Sequence, residues 1–185
     1  MRILGIDPGL TRCGYGIIDL RADRTASLVA TGVLRTAPEL AIELRLRAIG
    51  EGIDALLAEH RPEAVAVERV FAQHNLRTVM GTAQVSGLAL ERAARAGLEV
   101  GLHTPSEVKA AVTGYGAADK RQVTAMVTRI LGLAEAPKPA DAADALALAL
   151  CHGWSRGAAG PAGGALTPAQ RAWQEAERHA RSSRT

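Results

Sequence analysis

Residues 1–20, MRILGIDPGLTRCGYGIIDL, set two apolar runs on either side of a proline-glycine turn. Arg2 to Asp7 is a short apolar run with strand character, and Pro8-Gly9-Leu10-Thr11 is turn chemistry. A second strand pattern follows from Cys13 to Leu20, so the segment predicts a hairpin. Asp7 stands at the carboxyl end of the first strand. Functional sites in open α/β sheets collect at that end.

A third strand is expected within Ala26–Arg35. From Leu40 to Glu59 the apolar period changes, with Ile42, Leu46, Ile49, Ile53, Leu56 and Leu57 on one helical face, weakened by Gly50 and Gly52. Arg61-Pro62 ends that helix. Ala64 to Val70 is a continuous apolar run of the kind buried in parallel pairing. A helix is expected over Asn75–Ala96, and a strand over Leu98–His103, broken by Pro105. Ser106 is read as the cap of a short helix carrying Lys109. Gly114-Tyr115-Gly116 connects to a helix from Asp119 to Leu131, and a last helix runs from Asp141 to about His152. Strands first, then strands alternating with helices, predict an α/β fold: a mixed five-stranded sheet with helices on both faces. Residues 1–154 form the expected domain, and 155–185 a Gly/Ala-rich linker with a basic tail.

The 185 residues are 48% hydrophobic but only 3% aromatic, so aliphatic side chains must fill the core. The net charge of +3 resides in the tail, where five Arg face two Glu from Ser155 onward. The remainder balances at 17 against 17. Bulk charge therefore does not announce a nucleic-acid binder, and any basic surface is local. Cys13 and Cys151 have neither CxxC nor zinc-ligand spacing and read as small core residues in a reducing, cytoplasmic setting. No apolar run reaches membrane-spanning length, and the chain opens on a strand pattern rather than a targeting segment.

Four acids stand out. Asp7 and Glu68 end apolar strands, while Asp141 and Asp144 stand three apart on one helical face. Each has a structural alternative: turn stabilisation for Asp7, pairing with Arg69 or Arg45 for Glu68, and helix capping for the aspartate pair. Gathered in one pocket they would repel, by roughly 4 kcal/mol per pair at 4 Å and an effective dielectric near 20. A divalent cation answers that repulsion, and hard oxygen donors suit Mg²⁺. Such sites perform phosphoryl chemistry.

Gly5-Ile-Asp-Pro-Gly9, Val67-Glu-Arg-Val-Phe71 and Asp141-Ala-Ala-Asp-Ala-Leu-Ala147 together resemble the RuvC-type Holliday junction resolvases, of the ribonuclease-H-like superfamily. The resemblance extends from Met1 to about His152 and includes Thr104-Pro-Ser-Glu-Val-Lys109 and Ala118-Asp-Lys-Arg-Gln-Val123. It implies a ribonuclease-H-like three-layer fold with Asp7, Glu68, Asp141 and Asp144 as metal-binding catalytic acids. Mg²⁺, or Mn²⁺ in its place, would be the cofactor, with two ions per site. It further implies a homodimer that nicks opposing strands of a four-way DNA junction beside the RuvA–RuvB branch-migration machinery.

The same resemblance places Lys109 and Lys120 on the DNA near the cut, with Lys120 stabilising developing charge. Phe71 would be a wedge stacked on a base, although a lone Phe so placed is ordinarily core. Arg69, Arg77 and Tyr115 are candidate backbone contacts. His103 reads as a structural strand-end residue, and His152 as too far along its helix to join the acids. The alternatives are a generic ribonuclease-H-like nuclease, a non-catalytic junction-binding module, and an ATP-binding sheet of the actin and sugar-kinase type. The last would need a glycine-rich phosphate loop where Ala140–Cys151 is helical.

Overall fold

In the computed structural model the described residues are 1–70 and 76–158, with side chains described for 1–70 and 79–155. Strands β1 (Arg2–Asp7), β2 (Arg12–Leu20) and β3 (Ala26–Arg35) form an antiparallel meander. Helix α1 (Ile42–His60) leads to β4 (Ala64–Glu68), and α2 (Leu76–Arg95) leads to β5 (Glu99–His103). Both later strands pair in parallel, β4 with β1 and β5 with β4. The sheet is therefore mixed, in the order β3-β2-β1-β4-β5. Helices α3 (Pro105–Thr113), α4 (Lys120–Ile130) and α5 (Ala140–Ala158) complete the unit, which spans Met1–Ser155.

Strand alternation sends neighbouring side chains to opposite faces. Leu4, Ile6, Val65 and Val67 pack against Ile49, Ile53 and Leu56 of α1 and Val85 and Ala89 of α2. Ile3, Ile18 and Ala66 pack on the other face against α3, α4 and α5, where Val108, Val127, Leu146 and Leu150 are buried. Each fully buried Ile or Leu stabilises by roughly 1.5–3 kcal/mol, so both outer layers are held by the sheet's own alternation. Cys13 and Cys151 are buried free thiols, as their spacing indicates.

Three boundaries differ from the sequence reading. Thr104, not Ser106, caps α3: its hydroxyl accepts from the Glu107 backbone N–H, and the Glu107 carboxylate accepts from the Thr104 backbone N–H. Pro105, beyond the end of β5 at His103, also opens that helix, because its missing N–H would be unpaired at N1 anyway. Helix α5 continues to Ala158, past the expected end near His152. Its last turns are held by Ser155 Oγ donating to the Cys151 carbonyl and by Trp154 Nε1 donating to the Arg24 carbonyl. The strand read as Ala64–Val70 closes at Glu68.

Candidate active site

Register alone brings the first two acids together. Ile6 lies opposite Val67 in the parallel pair, so Asp7 and Glu68 end adjacent strands side by side. On the other flank Asp7 pairs with Gly14 of β2. Helix α5 then crosses these strands at backbone contact. A Cβ at Gly14 would fall 2.2 Å from the Asp141 carbonyl oxygen, and one at Gly5 would fall 2.0 Å from the Ala145 carbonyl oxygen. No other residue permits that approach, and it delivers Asp141 and Asp144 to the strand ends.

The result is a cavity of about 370 Å³ lined by Asp7, Glu68, Asp144, Lys109 and Lys120 over an apolar base that includes Val108, Val123 and Leu148. Lys120 Nζ donates to Asp144 Oδ2 at 2.8 Å. Asp141 is engaged at the rim, where Arg12 Nε donates to its Oδ2 at 2.7 Å and the guanidinium terminus makes a second contact with the same oxygen. In this arrangement no three His, Cys, Asp or Glu side chains among the described residues converge as ligands of one ion. Arg12 draws Asp141 one way while Lys120 holds Asp144. Neither aspartate caps α5 with its side chain among these contacts, and neither Arg69 nor Arg45 forms an ion pair with Glu68 among the described residues.

Electrostatics mark Asp7 as the centre of the group. Burial, then repulsion from Glu68, Asp144 and Asp141, pushes its carboxyl up to about 7, against the weaker pull of Lys120. Burial and then Asp144 also raise Glu68, opposed by Lys120 and Lys109. The ammonium of Lys120 is held above its ordinary value, first by its hydrogen bond to Asp144.

A raised carboxyl means the folded chain binds that proton more tightly than the unfolded chain does. Stability is then fullest below about pH 4 for this group and falls as pH rises toward 7. The loss amounts to roughly 4 kcal/mol at ~1.4 kcal/mol per unit. Chelator-treated protein should therefore unfold at lower temperature at pH 8 than at pH 5, and Asp7→Asn should flatten that slope. Parallel pH profiles for the two proteins would refute the assignment.

The remaining candidates separate clearly. Lys109 lines the cavity, whereas Tyr115 is exposed on the α3–α4 connection. Arg69 is exposed, and its backbone N–H donates to the His103 carbonyl. Phe71 and the side chain of Arg77 lie outside the described residues. Three features escaped sequence reasoning: the hold of Arg12 on Asp141, the glycine approach under α5, and a histidine pair. His103 Nε2 and His152 Nδ1 stand 3.1 Å apart between β5 and α5, and burial lowers the His103 imidazole. Glycine inside a strand pattern was the available signal for the second.

Comparison with known proteins shows the family. The family model described as crossover junction endodeoxyribonuclease RuvC matches residues 3–152. The RuvC of Leifsonia xyli subsp. xyli is 65% identical over 192 residues, covering 96% of this chain and 92% of that one. The RuvC of Clavibacter sepedonicus is 58% identical across the whole of both chains. Among solved structures, T. thermophilus RuvC in complex with a Holliday junction substrate superposes with a TM-score of 0.81 at 37% identity, covering 85% of this chain and 96% of that one. The yeast mitochondrial Holliday junction resolvase shares the fold, with a TM-score of 0.57 at 12% identity over 84% of this chain and 79% of that one. The α/β fold is the ribonuclease-H-like one, and the chain belongs to the RuvC family of crossover junction endodeoxyribonucleases.

Proposed function

We propose that the protein resolves four-way DNA junctions by paired, metal-dependent nicks in opposing strands, serving homologous recombination and DNA repair. The observation that carries the metal-dependent chemistry is the convergence of Asp7, Glu68 and Asp144 in one lysine-rimmed cavity at the carboxyl ends of β1 and β4. The donor set fits a hard cation: oxygen only and mutually repelling, with one carboxyl already raised to about 7, first by burial and then by its acidic neighbours. Asp7, Glu68, Asp141 and Asp144 would hold Mg²⁺, or Mn²⁺ in its place. When bound, divalent metal supplies an activated water and stabilises charge on the departing oxygen.

The chain's own residues do the rest. Lys120 and Lys109 bring compact positive charges to the cavity that a scissile phosphate enters. Lys120, exposed beyond its contact with Asp144, can turn from that carboxylate toward the phosphate. The apolar base limits water around the reacting group. Phe71 as a base wedge, with Arg69, Arg77 and Tyr115 along the backbone, completes the contacts proposed for the junction. A twofold homodimer places two such cavities on opposing strands, the symmetry that paired nicks require. RuvA–RuvB is the partner machinery that family membership implies, in a cytoplasmic setting. No described helix is long and apolar enough to cross a membrane.

With Mg²⁺, purified protein should introduce symmetric nicks into a synthetic four-way junction and spare plain duplex, with activity lost to chelator and restored by metal. Equal cutting of an RNA–DNA hybrid would instead favour a generic ribonuclease-H-like nuclease. Junction binding without any cutting would leave a non-catalytic module.

A further inference from the structure

A second hollow, also about 370 Å³, is walled by Leu10, Thr11, Arg12, Arg45, Gly81 and Thr82, between the β1–β2 turn and helices α1 and α2. Its distinguishing member is Arg45, only 9% exposed. Arginine is almost never so buried without a counter-charge. Here its partners are neutral hydroxyls. Nε donates to Thr36 Oγ1 at 2.9 Å, and a terminal nitrogen donates to Thr11 Oγ1 at 2.6 Å. No carboxylate is among its contacts within the described residues.

The neighbouring Arg12 leaves that charge unbalanced without adding to it, because its own guanidinium is engaged by Asp141. Thr36 is fixed by donating its hydroxyl hydrogen to the Leu10 carbonyl at 2.5 Å. Thr11 is different: its oxygen accepts from Arg45, and among the described residues its hydrogen has no acceptor. One buried positive charge and a polarised hydroxyl donor, with no aromatic side chain among the described lining residues, describe a receptor for a small oxyanion.

We propose that this hollow seats a backbone phosphate of the DNA strand being cut, a neighbour of the scissile one, with Arg45 as its positioning residue. The inference rests on the junction-cleaving function proposed above and adds to it a subsite outside the carboxylate cavity. A phosphodiester supplies one negative charge and two acceptor oxygens, matching the single uncompensated guanidinium and the Thr11 hydroxyl. Arg12 fixes the spacing, since the same side chain lines the hollow and grips Asp141. A phosphate here therefore registers the strand against the acids, and it offers Arg12 a second anionic partner.

The test is a scan of single neutral methylphosphonate linkages along the cleaved strand of a synthetic junction, measured as binding in chelator for wild type, Arg45→Met and Thr11→Val. Arg45→Met should lower junction affinity about tenfold and reduce the salt slope by about one. At one linkage beside the nick, neutralisation should weaken wild type about tenfold but Arg45→Met by no more than about twofold, because the partner is already gone. Thr11→Val should show a smaller loss coupled to the same linkage. Should Arg45→Met fail to fold, coupling at Thr11→Val decides the question alone. Losses that simply multiply at every linkage, while wild type still nicks the junction, overturn the subsite and leave the proposed function standing. A wild type that neither binds nor nicks the junction overturns both.

Discussion

Asp7→Asn is expected to reduce junction nicking at least a thousandfold while changing junction affinity by no more than about threefold. The substitution keeps the shape of the side chain and removes its charge. Asp7 makes no side-chain hydrogen bond to the turn it precedes among the described residues, so the hairpin loses nothing that the amide does not restore. What disappears is the buried carboxylate that shares the cavity with Glu68 and Asp144. If that group's interaction with the ion and the attacking water contributes about 4 kcal/mol in the transition state, a thousandfold loss follows at ~1.4 kcal/mol per decade. Binding relies on cationic contacts that the change leaves intact, and a less negative cavity does not repel phosphate. Nicking and gel-shift measurements on the same preparation decide the matter. Substantial nicking by the variant would remove Asp7 from the chemistry. Loss of binding with an intact fold would mean its role is in recognition.

Gly14→Ala should disable the protein by a different route. The added methyl would lie 2.2 Å from the Asp141 carbonyl oxygen and 2.7 Å from its carbonyl carbon, both backbone atoms that no rotamer change can move. Relief requires lifting α5, whose Ala142, Ala143, Leu146 and Leu150 are fully buried. Overpacking of this kind costs about 1–3 kcal/mol and more when backbone must shift, which lowers the melting temperature by several degrees. Displacing Asp141 by an ångström is also enough to cost on the order of a hundredfold in rate. Gly87→Ala provides the contrast: that exposed glycine in α2 meets nothing within 4 Å, so alanine should stabilise by about 0.5–1 kcal/mol and leave nicking alone. A Gly14→Ala protein as stable and active as wild type would show that α5 does not need its close seat on β2.

The hairpin of residues 1–20 and the strand of Glu68 were legible because alternation, turn chemistry and continuous apolar runs are local properties. The acids were legible for a related reason, since a carboxylate ending a buried strand is costly wherever it lies. Ser106 was misread as the cap of α3 because several hydroxyl residues precede the helix, and only the Thr104–Glu107 box tells which one caps it. The grip of Arg12 on Asp141 joins positions 129 apart, and no spacing rule links them. Arg45 was equally opaque. On a helical wheel it is one more charge on α1, and its burial follows from the position of the β1–β2 turn.

Two cationic tethers, Arg12 on Asp141 and Lys120 on Asp144, give the cavity its own ballast. Any cation taken up by Asp141 and Asp144, and any phosphate drawn to Arg12 and Lys120, competes with these two contacts, so occupancy of the cavity and the tethers oppose one another.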